Sequence, residues 1–129
     1  MKSFVFSAVA LLALVGGQAP AQGSSTTVEI DLSNFKISPD AITLQHGQPY
    51  VLHIVNQAKG GHDFEAKAFF DAATVAPGDR AAIAKGKIEL GGGQSADVHL
   101  TAPAAGTYEA HCTHFMHSTF GMTGKIVVQ

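Results

Sequence analysis

The chain of 129 residues carries 8 basic and 10 acidic side chains, seven histidines and a single cysteine. No cluster of Lys and Arg is present, which excludes the electrostatic footprint of a nucleic-acid binder, and one thiol excludes an internal disulfide. The length suits one domain able to bury a core without covalent staples.

Lys2 followed by an apolar run over residues 4–15 reads as a secretory leader. The run is short of the ~20 residues that a spanning helix needs. Gly16-Gly17 breaks it, and Ala19-Pro20-Ala21 offers a small-x-small cleavage site before Gln22, with no cysteine nearby for a lipid anchor. We therefore expect a signal peptide over residues 1–21, a domain over residues 22–129, a periplasmic location and no stable membrane insertion after cleavage. A lone thiol in an oxidising compartment is a liability unless something protects or uses it. Metal ligation does both.

In the domain, Val28, Ile30 and Leu32 alternate with Thr27, Glu29 and Asp31, the period of a half-buried strand. Pro39 marks a bend, Ile42 and Leu44 form a second strand, and His46-Gly47-Gln48-Pro49 is a turn whose histidine is solvated. Residues 50–56 are apolar on both faces and predict a central strand of a sandwich, with His53 in a structural or rim position. Gln57 to Gly61 forms a loop that delivers His62. Residues 66–74 and 78–85 are alanine-rich and predict two short helical turns, capped by Asp79 and Gly86, with Phe69-Phe70 packed on the sheets. Strands follow at residues 88–90 and 96–101, the second with His99 facing solvent. After the turn at residues 103–106, Tyr108, Ala110 and Cys112 share an inward face while Glu109 and His111 point the other way.

Residues 108–124, Y-E-A-H-C-T-H-F-M-H-S-T-F-G-M-T-G, hold the cysteine, three histidines and two methionines. Thiolate, imidazole and a weak thioether make the donor set of copper. Zinc has little use for methionine, and hard cations want oxygen. A second histidine must come from elsewhere in the chain, and His62 is the best candidate.

The order His62 … Cys112, five positions to His117, five more to Met122, then Thr123-Gly124 and an apolar strand, resembles the cupredoxins, small type 1 copper proteins of the auracyanin, azurin and plastocyanin kind. The resemblance covers residues 26–129. It implies an all-β Greek-key sandwich of about eight strands with a helical insertion near residues 66–86. It also implies one copper ion at one end of the sandwich, with His62, Cys112 and His117 as equatorial ligands and Met122 as the axial one. Asp63 and Thr113, each beside a ligand, are expected to hydrogen-bond across the two ligand loops.

This loop departs from related ones in holding Thr113-His114-Phe115-Met116 between Cys and His, so His114 and Met116 are spare donors. His111 resembles the histidine before the cysteine in multicopper oxidases. Thr113 replaces the histidine after it there, and one domain cannot supply the remaining cluster ligands. No catalytic residue is assigned. The reading that follows is a monomeric one-electron carrier, Cu(I)/Cu(II), serving redox protein partners, with Phe115 and Phe120 covering the site and the His117 edge as the electron's exit. The alternative is a periplasmic protein for copper delivery or storage; an open catalytic copper site, as in nitrosocyanin, fits poorly with Met122 in place.

Overall fold

The computed structural model describes residues 16–17 and 23–129; the leader and its cleavage site, residues 1–21, lie almost entirely outside them. Two five-stranded sheets form a sandwich. The first comprises β1 (Thr26–Ser33), β2 (Lys36–Ser38), β4 (Pro49–Asn56), β6 (Thr74–Val75) and β8 (Ser95–Thr101), in the order β2-β1-β4-β8-β6. The second comprises β3 (Ala41–Leu44), β5 (His62–Glu65), β7 (Lys87–Leu90), β9 (Gly106–His111) and β10 (Thr123–Val128), in the order β3-β10-β9-β5-β7.

Alternating side chains explain the two layers. Ile30, Leu32, Leu52, Ile54, Val98 and Leu100 point inward from the first sheet and are buried. Leu44, Phe64, Ile88, Leu90, Ile126 and Val128 face them from the second. A strand's period of two puts every second residue in this shared core, and apolar burial there drives the fold. Two pairings are parallel, β1 with β4 and β3 with β10, and the rest are antiparallel.

The insertion differs in detail from its sequence-based expectation. α1 spans only Lys67–Ala72, with Phe69 and Phe70 buried as expected, and Thr74, expected at the end of the first helical turn, instead begins the strand Thr74–Val75 that pairs with β8. The second turn is a 3-10 helix, Pro77–Ala82. Asp79 does not cap it. Its carboxylate instead accepts the backbone N–H of His99 and faces that ring's Nδ1, both at 2.8 Å. Gly86 is likewise no helix cap: it sits at φ 79° in the tight turn between Ala84 and Lys87, where a Cβ would lie 2.4 Å from that of Lys67. Among the described residues no helix is long and apolar enough to cross a membrane.

Candidate metal centre

His62 opens β5, and its position is fixed by Asn56 at the end of β4. Asn56 is fully buried. Its amide NH2 donates to the carbonyls of Gly60 at 2.8 Å and of Leu90 and Gly91 at 3.1 Å, while its Oδ1 accepts the Ala58 N–H at 3.0 Å. One side chain therefore ties the loop that carries His62 to the β7–β8 turn. Gly92 in that turn permits the contact, because a Cβ there would sit 2.1 Å from the Lys59 carbonyl oxygen.

Cys112 follows β9, and the loop after it is closed by its own backbone. Cys112 N–H donates to the Met122 carbonyl at 3.1 Å, Met122 N–H to the His117 carbonyl at 3.0 Å, and His117 N–H to the His114 carbonyl at 3.1 Å. Antiparallel pairing of β9 with β10 holds both ends together, with His111 opposite Thr123. The loop thus returns Met122, fully buried, beside the thiol-bearing residue.

Three of the four expected donors meet at measured separations. The Cys112 Sγ lies 3.4 Å from His117 Nδ1 and 3.9 Å from His62 Nδ1, and the two nitrogens are 3.1 Å apart. An ion about 2.0 Å from each nitrogen and about 2.3 Å from sulfur requires spacings of roughly this size. The tautomer agrees: Asn34 Oδ1, 3.3 Å from His62 Nε2, can only accept, so that nitrogen carries the proton and Nδ1 turns a lone pair inward. The residues fit a soft metal ion.

Electrostatics sharpen the picture. Burial, then the nearby rings of His117 and His114, push the His62 imidazole below its usual range, so it stays neutral and ready to ligate. Burial pushes the Cys112 thiol up, against the backbone N–H groups of Asp63 and His114 that donate to its sulfur. Without a cation this is a shielded, protonated thiol.

The expected tie between the ligand loops is present. Asp63, fully buried, accepts the Thr113 N–H at 2.7 Å and the Thr113 hydroxyl on its other oxygen. Lys87 Nζ stands 3.5 Å from the same carboxylate and donates to Thr113 Oγ1 at 3.0 Å.

The other donors are dispersed. His46 is exposed in its turn. His53 on the outer sheet face pairs with Asp97, and His99 with Asp79. His111 turns away from the site toward Glu65, 3.2 Å away. His114 stays near the centre, its ring centroid 5.3 Å from that of His117, with Nε2 at 2.8 and 3.0 Å from the Glu89 carboxylate oxygens. Met116 is exposed at φ 65°. Phe115 is 91% exposed and does not cover the site as expected.

The aromatic that does flank it was missed in the sequence. Phe35, at the tip between β1 and β2, meets His117 edge-on at 5.3 Å and Phe120 at 5.3 Å. It sits at φ 59°, a region costly for a bulky side chain, and these ring contacts help to hold it there. Asn34 and Asn56 were also missed. The signal for Asn56 was its phase: it stands on the inward face of β4 with Leu52 and Ile54.

The sequence matches the family described as Cupredoxin-like domain over residues 4–128. The chain belongs to the cupredoxins, and its His62-Cys112-His117-Met122 group is consistent with a single copper site of type 1 character. Among solved structures it is similar to dithionite-reduced auracyanin of Roseiflexus castenholzii, at 26% identity and TM-score 0.60, over 83% of this chain and 99% of that one. It is similar to auracyanin A, a "blue" copper protein of Chloroflexus aurantiacus, at 23% identity and TM-score 0.60, over 82% of this chain and 100% of that one. A multicopper oxidase of Campylobacter jejuni shares the fold at 13% identity and TM-score 0.63, over 95% of this chain but 34% of the oxidase. A sequence comparison with curated proteins gives no match.

Proposed function

We propose that the protein is an exported, non-enzymatic one-electron carrier that would hold one copper ion through His62, Cys112 and His117, with Met122 as a weaker fourth donor. The observation that carries this reading is the convergence of one buried thiol and two imidazole nitrogens within 3.9 Å of one another, in a pocket already organised by hydrogen bonds. Copper held there would supply the one-electron chemistry, as Cu(I) and Cu(II). The chain's part is to hold donors suited to both states so that little rearranges on electron transfer.

A leader over residues 1–21 would direct export, and its removal would release the domain into the periplasm. Redox partners would dock over the half-buried His117, whose surroundings include the exposed Phe35, Met116 and Phe120. Four protein donors would leave no place on the ion for a substrate, which favours a carrier over a catalyst.

The test is the visible spectrum of the Cu(II)-loaded protein beside His117→Ala and Met122→Ala. We expect an intense thiolate-to-copper band, abolished in the first variant and only shifted in the second. Absence of the band, with tight Cu(I) binding retained by both variants, would replace the electron carrier with a protein for copper delivery or storage.

A further inference from the structure

The rim of the centre is divided. On one flank stand the apolar rings of Phe35 and Phe120; on the other stand His114 and the carboxylate of Glu89. Two of the final donors cannot meet an ion first, since Cys112 is fully buried and His62 is 2% exposed, and the third, half-buried His117, offers a single nitrogen. The His114 and Glu89 side chains are 31% and 55% exposed. A hydrated cation is drawn to the anionic flank and repelled by the cost of desolvation at the apolar one.

His114 is also a placed ring. Glu89 grips its Nε2 with both oxygens, and its Cε1 lies against Gly61, where a Cβ would come within 3.3 Å. One of its ring nitrogens lies within 4.8 Å of both the Cys112 sulfur and an Asp63 carboxylate oxygen.

Resting on the copper reading above, we propose that His114 and Glu89 form a capture site, which takes copper at the rim and surrenders it to Cys112, His62 and His117. Standing two residues after Cys112, His114 would close a cramped chelate with the thiolate, so it is suited to hold the ion in passing and then let go. In the hand-over, Cys112 gives its thiol proton to solvent as its Sγ takes the ion, His62 and His117 supply nitrogen lone pairs, and the bonds to His114 and Glu89 break. The oxidation state of the copper does not change.

Rapid mixing of the apo protein with Cu(II) in a weakly coordinating buffer, followed at the thiolate-to-copper band, tests this. The wild-type rate should level off as copper is raised, because the captured form fills before the coloured one appears. Glu89→Gln and His114→Ala should slow the band's growth roughly tenfold or more, with a rate that rises linearly with copper and an end-point band in its wild-type position. Equal rates in wild type and variants would overturn the capture site. So would slower rates with a displaced end-point band, since His114 would then be a clamp on the ligand loop. If His114→Ala does not fold, the exposed Glu89→Gln decides. No band in the wild type would overturn the copper reading itself, and the capture site with it.

Discussion

Asn56 shows how much one buried amide can organise. Replacing it with alanine leaves three carbonyls and one N–H without their partner, that of Leu90 buried and the others partly so. The expected loss is about 2–3 kcal/mol, read by chemical denaturation of the apo protein, together with weaker copper binding as the His62 loop loosens. On the outer sheet face the Asp97 carboxylate, helped by Glu29 and Asp31, holds the His53 imidazole above its ordinary value of 6.5. A raised histidine contributes stability below its unfolded value, and that contribution fades as pH rises through the folded one. Asp97→Asn should therefore cost a few tenths to about 1 kcal/mol near pH 5.5, as exposed pairs do, and almost nothing near pH 8.5, when the two proteins are compared by denaturation at each pH. Donor identities at the centre were legible because thiol, imidazole and thioether recur at fixed spacing. The residues that aim them were not, because an asparagine at a strand end carries no mark of what its amide will touch.

At the level of elements, the centre is a joint between the start of β5 and the loop from β9 to β10, fastened by Asp63, Thr113 and Lys87. Thr113→Val removes the hydroxyl that donates to one buried Asp63 oxygen. We expect a loss of about 1–3 kcal/mol in apo thermal unfolding and a copper affinity reduced with it, since preformed ligand loops are what the joint supplies. The Asp63–Thr113 half of this joint could be read from the sequence, because each residue neighbours a donor. Lys87 could not: its place depends on the register that sets Glu65 opposite Lys87, which no local pattern states. The insertion was misread for a similar reason. Its pieces are six residues or fewer, and alanine content says helix without saying that Thr74–Val75 will find an open strand edge.

At the scale of the molecule the sandwich followed from alternating strands, but among the described residues ten strands were found where about eight were expected. The extra ones are very short, β2 with 3 residues and β6 with 2, too brief for a period to register. The two parallel pairings were also invisible, because they join segments far apart in the chain. A site that exists only in the folded sandwich couples metal binding to global stability. Copper at about 100 times its dissociation constant should add about 2.7 kcal/mol and raise Tm by about 10 °C or more. Calorimetry with and without copper measures this, and an unshifted Tm would count against a buried site.

β10 lies between β3 and β9, and its residues follow Cys112 in the order of synthesis. A chain made N-terminus first has presented His62, and then the thiol, before β10, which pairs with β9 and completes the fold that buries Cys112, has been made. During that interval Cys112 is open to oxidants and to cysteines of neighbouring chains. Maturation is thus a race between the docking of one strand and the chemistry of one sulfur, and once β10 is in place the race is over.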